Sequence, residues 1–264
     1  MVKSNAFIGF PEGMLRDKQI RLPVLANEPG WFALNKFSGL LGQAHPRYAG
    51  RPNITNAIRS QAEAGKGELD RLGISNCYYM CGPEFDIPGP IVFAKEKSTA
   101  NLLKNAYGSD QIKLTYRFLT EAKISGAELS CNLPIAQHAE KSLALVSRKS
   151  GKKSATHFRR IMGSQSLSLW EAVTTHPRLD QVRLHAAELG IPVMGDSLYG
   201  RVLTHLESSR SRSLSRSTPR FRGLAMLLFE VDLSRILPGN SKICVEPSKQ
   251  FSAFLRKFNL LEAE

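Results

Sequence analysis

Residues 174–200 read TTHPRLDQVRLHAAELGIPVMGDSLYG, and this stretch indicates more about the fold than any other part of the chain. Its apolar residues recur at the spacing of an amphipathic helix, and a glycine, which commonly ends helices, follows them. The pattern predicts a helix from Leu179 to Leu189 with one apolar side, made by Leu179, Val182, Ala186 and Leu189. The turn after this helix, Gly195 to Gly200, lacks the strand-then-helix glycine pattern of a dinucleotide site.

The same stretch resembles the motif of RluA-type pseudouridine synthases, T-G-R-T-H-Q-I-R-V-H-x-A-x-x-G-x-P-I-x-G-D-x-x-Y-G. The matching positions, without a gap, are Arg178, Gln181, Arg183, His185, Gly190, Pro192, Gly195, Asp196, Tyr199 and Gly200. The resemblance implies an α+β fold, with a mixed, mostly antiparallel sheet and flanking helices. It implies one catalytic domain over residues 23–258, preceded by an irregular N-terminal arm over residues 1–22. We expect no separate RNA-binding module before it.

Two further blocks carry the resemblance. The family's N-K-P-x-G-x-x-x-H-P block corresponds to residues 35–46, where Lys36 and Gly39 match and Phe37 replaces the proline. The family's K-x-Y-x-A-x-V-x-G strand corresponds to residues 113–121, with the tyrosine at Tyr116 and Phe118 in place of the alanine. Local patterns also predict helices near residues 53–64, 99–107 and 251–258, and strands near 113–123, 167–173 and 222–233.

The family's nucleophile motif, H-R-L-D-x-D-T-S-G, is altered in this chain. Residues 81–89 read CGPEFDIPG, so Glu84 stands where the family has its catalytic Asp, while Asp86 and Gly89 are kept. The resemblance implies a reaction without cofactor or metal, in which a carboxylate starts cleavage of the uridine C–N glycosidic bond. It also implies that Tyr116 stacks on the uracil and that Arg183 pairs with the carboxylate.

The exchange of Asp for Glu leaves two hypotheses for function. A carboxylate displaced by about 1 Å can lose on the order of 100-fold in rate, and the motif's Arg and hydroxyl groups are also missing. Catalysis can survive this exchange in two ways. Either Glu84 reaches the substrate from a shifted backbone, or Asp86 acts as the catalytic carboxylate after a two-residue slip of the alignment. The first hypothesis is therefore an RNA uridine-to-pseudouridine isomerase using Glu84 or Asp86. The second is an inactive RNA-binding protein on the same fold.

The charge of the chain indicates a polyanionic partner. It has 36 Lys and Arg against 23 Asp and Glu, a net charge of +13. Residues 141–160 carry seven Lys and Arg and no acid, and the Ser/Arg-rich residues 208–222, which we predict to form a loop, carry five Arg and no acid. Such clusters favour phosphate backbones, because binding releases condensed counterions. The candidate RNA contacts are Lys36, Lys152, Lys153, Arg159, Arg178 and Gln181.

Other sequence features bear on the cell compartment and on the binding partner. The N-terminus has no basic start followed by a sustained apolar core, and no apolar run is long enough for a membrane span. The four cysteines lack C-x-x-C spacing, which indicates reduced thiols rather than disulfides or a metal site. We expect a cytoplasmic monomer that binds ribosomal or transfer RNA. We also expect His185 to be a hydrogen-bonded packing residue and Asp180 to pair with Arg183.

Overall fold

The computed structural model describes residues 6–107, 109–122, 124, 126–138, 143–164, 166–200, 221–237, 239 and 241–260. Their strands are β1 Phe7–Phe10, β2 Ile20–Asn27, β3 Trp31–Lys36, β4 Tyr78–Cys81, β5 Gly89–Ala94, β6 Lys113–Thr120, β7 Glu128–Cys131, β8 Ile135–Gln137, β9 Ala144–Val146, β10 Thr156–Gly163, β11 Ser168–Thr174, β12 Met226–Asp232 and β13 Lys242–Cys244. Their α-helices are α1 Ile54–Glu63, α2 Gly67–Arg71, α3 Lys97–Ala106, α4 Gln181–Glu188 and α5 Lys249–Lys257. The chain divides into two compact units, unit 1 with Met1–Leu114 and Leu228–Val245, and unit 2 with Thr115–Leu227 and Glu246–Glu264.

Unit 1 is built on a five-stranded sheet in the order β1-β2-β3-β5-β4, with antiparallel neighbours throughout. Alternate residues of β2 point inward, and helix α1 adds Ile54 and Ile58 to the same core. The Oδ1 atom of Asn53 accepts a hydrogen bond from the amide of Asn56 at 3.0 Å and so caps α1. Such a cap stabilises a helix by about 1 kcal/mol. The predicted helix over residues 53–64 is confirmed.

The N-terminal residues do not form the irregular arm that the sequence predicts. Phe7–Phe10 is an edge strand paired with β2, and Ile8 and Phe10 are fully buried in the core of unit 1. The predicted domain boundary at residue 22 lies inside β2. The prediction was wrong because a four-residue apolar run is too short to show a period, and its strand conformation depends on a partner further along the chain.

Unit 2 contains strands β6, β11, β10 and β7, which are neighbours in that order, together with the hairpin of β8 and β9. Strand β10 pairs antiparallel with both β7 and β11. The rings of Phe118 and Phe158 meet edge to face, with their centres 6.1 Å apart, and both residues of unit 2 are buried. These antiparallel sheets with a few helices confirm the expected α+β class. The predicted strands over residues 113–123, 167–173 and 222–233 are observed, each with shifted ends.

Helix α4 differs from its prediction in how it is buried. It begins at Gln181 and ends before Gly190, whose φ of +75° suits glycine. However, Gln181, Arg183 and His185 are buried together with the apolar residues, so the helix has no solvent-exposed polar side over most of its length. Helix α3 begins at Lys97, two residues before the predicted start at residue 99. The predicted Ser/Arg-rich loop lies outside the described residues, apart from Phe221 and Arg222.

Across the residues described above, none of the helices has both the length and the hydropathy needed to cross a bilayer. The longest, α1 and α3, have ten residues each.

Candidate active site

The loop between β4 and β5 carries Glu84 and Asp86, and its backbone is anchored along its whole length. The carbonyl oxygens of five loop residues each accept a hydrogen bond. The donors are the Tyr79 hydroxyl to Gly82 at 3.3 Å, Lys36 Nζ to Glu84 at 2.9 Å, the Gly39 amide to Phe85 at 2.7 Å, the Ser38 hydroxyl to Asp86 at 2.8 Å and the Leu228 amide to Pro88 at 2.9 Å. The backbone beneath the two candidate carboxylates is therefore fixed, while both side chains are half-buried.

Lys36 is the central support of this loop. Its side chain is fully buried, and its ammonium group also contacts the carbonyl oxygens of Phe37 at 3.2 Å and Phe85 at 3.4 Å. Burial lowers the pKa of Lys36 to about 7, although the carboxylates of Glu84 and Asp86 oppose this shift. Nothing in the sequence indicates this role beyond the match of the residue 35–39 block, because the loop that Lys36 holds lies 48 residues away.

Gly89 ends the loop in a conformation that requires glycine. Its φ is +145°, and a Cβ atom there would lie 2.3 Å from the carbonyl oxygen of Leu228. The last glycine of the altered nucleophile motif therefore permits a close approach of two backbones.

In unit 2, Arg183 is held by a bidentate ion pair with Asp196. Its Nε donates to Asp196 Oδ2 at 2.7 Å, and its Nη2 donates to Asp196 Oδ1 at 2.6 Å. Its Nη1 lies 3.4 Å from Asp180 Oδ1, which confirms the predicted pair at the start of α4. The hydroxyl of Tyr199 donates to the second oxygen of Asp180 at 2.9 Å. The Arg183 side chain is only 4% exposed.

Asp196 explains why the turn reads G-D-x-x-Y-G. Its Oδ1 accepts the amides of Leu198 at 2.8 Å and Tyr199 at 3.0 Å while it binds Arg183. Burial alone would raise the pKa of Asp196, but Arg183 and the two amides outweigh burial and hold that pKa below its usual value. The motif match was the sequence signal that could have identified Asp196 as a site residue. Its partners, Arg183 and the two amides, are visible only in the structure.

Comparisons with known proteins find similarity to RNA pseudouridine synthases. No protein-family model matches the chain. An uncharacterised RNA pseudouridine synthase of Bacillus subtilis is 34% identical over 118 residues, which are 44% of this chain and 39% of that protein. The ribosomal large subunit pseudouridine synthase D of Zymomonas mobilis is 26% identical over 190 residues, 70% of this chain and 57% of that protein. The chain therefore spans well under two thirds of the length of these two relatives.

A solved structure, human RNA pseudouridylate synthase domain containing 4, superposes with a TM-score of 0.67 over 91% of this chain and 94% of that chain, at 16% identity. The chain is thus similar in sequence and in fold to RNA pseudouridine synthases. Human RNA pseudouridylate synthase domain containing 1 gives a TM-score of 0.59 over 86% of this chain and 83% of that chain, at 15% identity. The fold is that of the pseudouridine synthases.

The three residues that the pseudouridine synthase motifs assign to catalysis lie in different units. Glu84 belongs to unit 1, whereas Tyr116 and Arg183 belong to unit 2. Tyr116 lies on β6 with 2% of its surface exposed. Their convergence on one site therefore stays a prediction.

Two of the six candidate RNA contacts of this pseudouridine synthase-like chain are corrected by the structure. Lys36 is fully buried against backbone carbonyls, so its ammonium group does not face a phosphate. Gln181 is 1% exposed, and its amide nitrogen donates to Ala155 O at 2.8 Å, Thr174 Oγ1 at 2.9 Å and Thr156 Oγ1 at 3.0 Å. Both predictions assumed that a residue which matches the motif is exposed on the surface. Both side chains bond within the fold instead.

The other four candidates, Lys152, Lys153, Arg159 and Arg178, lie in unit 2 with accessible surface. Lys152 and Lys153 are exposed, and the Arg159 side chain is 61% exposed beside Glu171. Burial lowers the pKa of His176, and the positive charges of Arg178 and Lys152 lower it further. His185, in contrast, has the predicted packing role, because its ring nitrogens lie 2.9 Å from Leu133 O and from Thr156 Oγ1.

Proposed function

We propose that this protein isomerises uridine to pseudouridine in RNA, with Glu84 as the carboxylate that starts the reaction. The observation that carries the proposal is the anchored loop of residues 82–88, which presents an acid at the motif position on a fixed backbone. The altered motif lacks an Arg and two hydroxyl groups, but Lys36, Ser38 and Gly39 hold the loop from another segment. A fixed backbone limits the positions that the longer Glu side chain samples.

The other residues of the proposed site supply binding and charge. Tyr116 stacks on the uracil, and Arg183, held by Asp196, provides a fixed positive charge for the carboxylate. The target uridine leaves its stack in the RNA before these groups contact it, and that step costs a few kcal/mol. This chemistry uses no cofactor and no metal ion.

The proposed partner is structured RNA, bound through phosphates by Lys152, Lys153, Arg159 and Arg178. One relative is named a ribosomal large subunit pseudouridine synthase, so ribosomal RNA is the first substrate to test, and transfer RNA is the second. We further propose that the protein acts as a monomer in the cytoplasm. The comparisons give no positive support to the alternative of an inactive RNA-binding protein.

The test is pseudouridine mapping of cellular RNA with and without this gene, followed by complementation with variants. Glu84→Gln is expected to abolish the modification, and Asp86→Asn, the matched change two residues away, is expected to retain it. The reverse pattern would make Asp86 the reacting carboxylate. If the pseudouridine content of every RNA is the same with and without the gene, the proposal is overturned and the inactive alternative is favoured.

If the protein proves inactive, the same variants show what is missing. Glu84→Asp alone is then expected to do little, because the motif's supporting side chains would still be absent. Rebuilding His-Arg-Leu-Asp across residues 81–84, with Thr and Ser at residues 87 and 88, is expected to be required for isomerase activity.

A further inference from the structure

An aromatic and cationic stack adjoins Glu84 in unit 1. The ring of Phe85, the next residue in the chain, lies 4.5 Å from the ring of Tyr48. The guanidinium of Arg51 lies 5.2 Å from the centre of the same Phe85 ring. The ring of His45 lies 6.1 Å from Tyr48 and continues the series. We call Tyr48, Phe85 and Arg51 the Phe85 stack.

The Phe85 stack is not part of the interior of unit 1. Tyr48 and Phe85 are half-buried and Arg51 is exposed, and neither ring is among the described residues that form the core cluster of this unit. The two segments that carry the stack are fixed from outside it. Tyr48 lies in a 3₁₀ turn capped by His45, and the carbonyl of Phe85 is held by Gly39 and Lys36. The rings are therefore presented on rigid backbone with part of their surface in solvent.

We propose that the Phe85 stack binds an unpaired nucleobase of RNA that neighbours the target uridine. This inference rests on the proposed function and adds a contact for the substrate at the same site. Consecutive Cα atoms are about 3.8 Å apart, so a base on Phe85 lies one nucleotide's reach from a uridine at Glu84. Extruding a uridine leaves its neighbour without a stacking partner, and an aromatic ring with an adjacent Arg replaces that partner for any base.

The charge at the stack favours RNA over an apolar partner. Arg51 covers one face of the Phe85 ring and keeps its charge in water, where it attracts the phosphate beside a stacked base. Stacking of this kind tolerates any base, so the stack contributes affinity and position but not sequence preference.

The experiment measures binding of short single-stranded RNA that contains one uridine with 2-aminopurine as its neighbour. Wild-type protein is expected to quench the 2-aminopurine fluorescence. Phe85→Leu and Arg51→Gln are each expected to weaken binding, by roughly 5- to 100-fold for Phe85→Leu. The matched control is Tyr78→Leu, which removes a ring of the same unit that also has an arginine over it, Arg59 at 5.6 Å, and that lines a pocket without any residue of the Glu84 loop. This control is expected to bind like the wild type.

A second RNA, with an abasic site in place of the neighbouring base, separates stacking from a general disturbance of the loop. Wild type and Phe85→Leu are expected to bind this RNA equally, and Phe85→Tyr is expected to restore binding of the original RNA. The inference is overturned if Phe85→Leu binds the original RNA like the wild type, if it weakens binding of both RNAs alike, or if the wild type binds neither. Because binding is measured without turnover, a protein that stacks the base but forms no pseudouridine would reject only the proposed function.

Discussion

Arg183 and Asp196 each depend on the other, because both side chains are almost fully excluded from water. Their side chains are 4% and 1% exposed, and the pair is bidentate. Removing Asp196 takes away the bidentate partner of a buried guanidinium, and the longer contact with Asp180 at 3.4 Å replaces it only in part. The pair therefore fixes the guanidinium that the proposed mechanism uses and also stabilises unit 2.

We expect Asp196→Asn to lower the free energy of unfolding by about 3–5 kcal/mol, measured by urea denaturation. The control is Arg159→Gln in the same unit, which breaks a pair with Glu171 whose arginine is 61% exposed. An exposed pair contributes about 1 kcal/mol or less. Equal losses for the two variants would contradict the assigned role of Asp196.

Because Lys36 is buried and its pKa is lowered, the free energy of unfolding of the protein depends on pH. Its pKa falls from 10.5 in the unfolded chain to about 7 in the folded protein, so folding favours the neutral amine. Between these two values the unfolded state binds the extra proton, and stability then rises with pH. Below about pH 7 both states are protonated and this contribution is constant.

The measurement is the free energy of unfolding of wild type and Lys36→Met across this range. Relative to the variant, the wild type is expected to gain stability as the pH rises from about 7 towards 10.5. Glu84, Asp86 and Arg16 are the charged groups that face Lys36, and they are unchanged in both proteins. Lys18→Met, at an exposed lysine of unit 1, should show no such trend. A flat difference for Lys36→Met would contradict the lowered pKa of Lys36.

Strand β5 and the loop before it show how one backbone position constrains a whole element. Gly89 lies at the first position of β5, pairs with Lys36 of β3, and leaves no room for a Cβ beside Leu228. A side chain there must push β5 or the segment at Leu228 away. Either movement would displace the loop that carries Glu84.

We expect Gly89→Ala to destabilise the protein by more than Gly50→Ala, and to lower the proposed isomerase activity. Gly50 also has a positive φ, +77°, but no atom lies within 4 Å of its added Cβ. The control therefore isolates the backbone penalty, about 1–2 kcal/mol, from the clash. Thermal unfolding of the two variants checks the prediction, and similar losses would show that the close approach to Leu228 does not matter.

Net charge governs how the chain as a whole meets RNA. The excess of basic residues, +13, attracts phosphates at long range, and the exposed basic side chains of unit 2 provide local contacts. Removing Lys152, Lys153, Arg159 or Arg178 should lower the slope of log affinity against log salt by roughly 0.7–0.9 for each phosphate-binding side chain removed. Lys36→Met should leave the slope unchanged, because that ammonium is buried. An RNA affinity that does not change with salt concentration would contradict the phosphate contacts.

Convergence of Glu84, Tyr116 and Arg183 on one basic cleft is the prediction that concerns both units together. The motif matches motivate it, since each residue occupies a position that the family uses for catalysis. A crystal structure of the protein with bound RNA tests it directly. A Glu84 carboxylate beyond side-chain reach of the Arg183 guanidinium would reject the enzyme but leave RNA binding intact.

The sequence alone was sufficient where the determining interactions are local. Helix α4, its glycine end and the Asp180–Arg183 pair follow from spacings of a few residues, and so does helix α1. Such features depend on neighbours within one or two turns of the chain, so their residues predict them. The matched motifs likewise indicated the fold, because they are long and ungapped.

Tertiary structure decided which of those residues face solvent and which support others. Lys36 and Gln181 look like RNA contacts in sequence, yet they bond to segments 48 and 25–26 residues away. The strand at residues 7–10 and the burial of α4 from Gln181 to Ala187 also depend on partners that no local pattern specifies. The physical reason is that burial is a property of the packed chain. A buried cation is stabilised only where distant carbonyl oxygens and carboxylates meet it, and only folding brings them together.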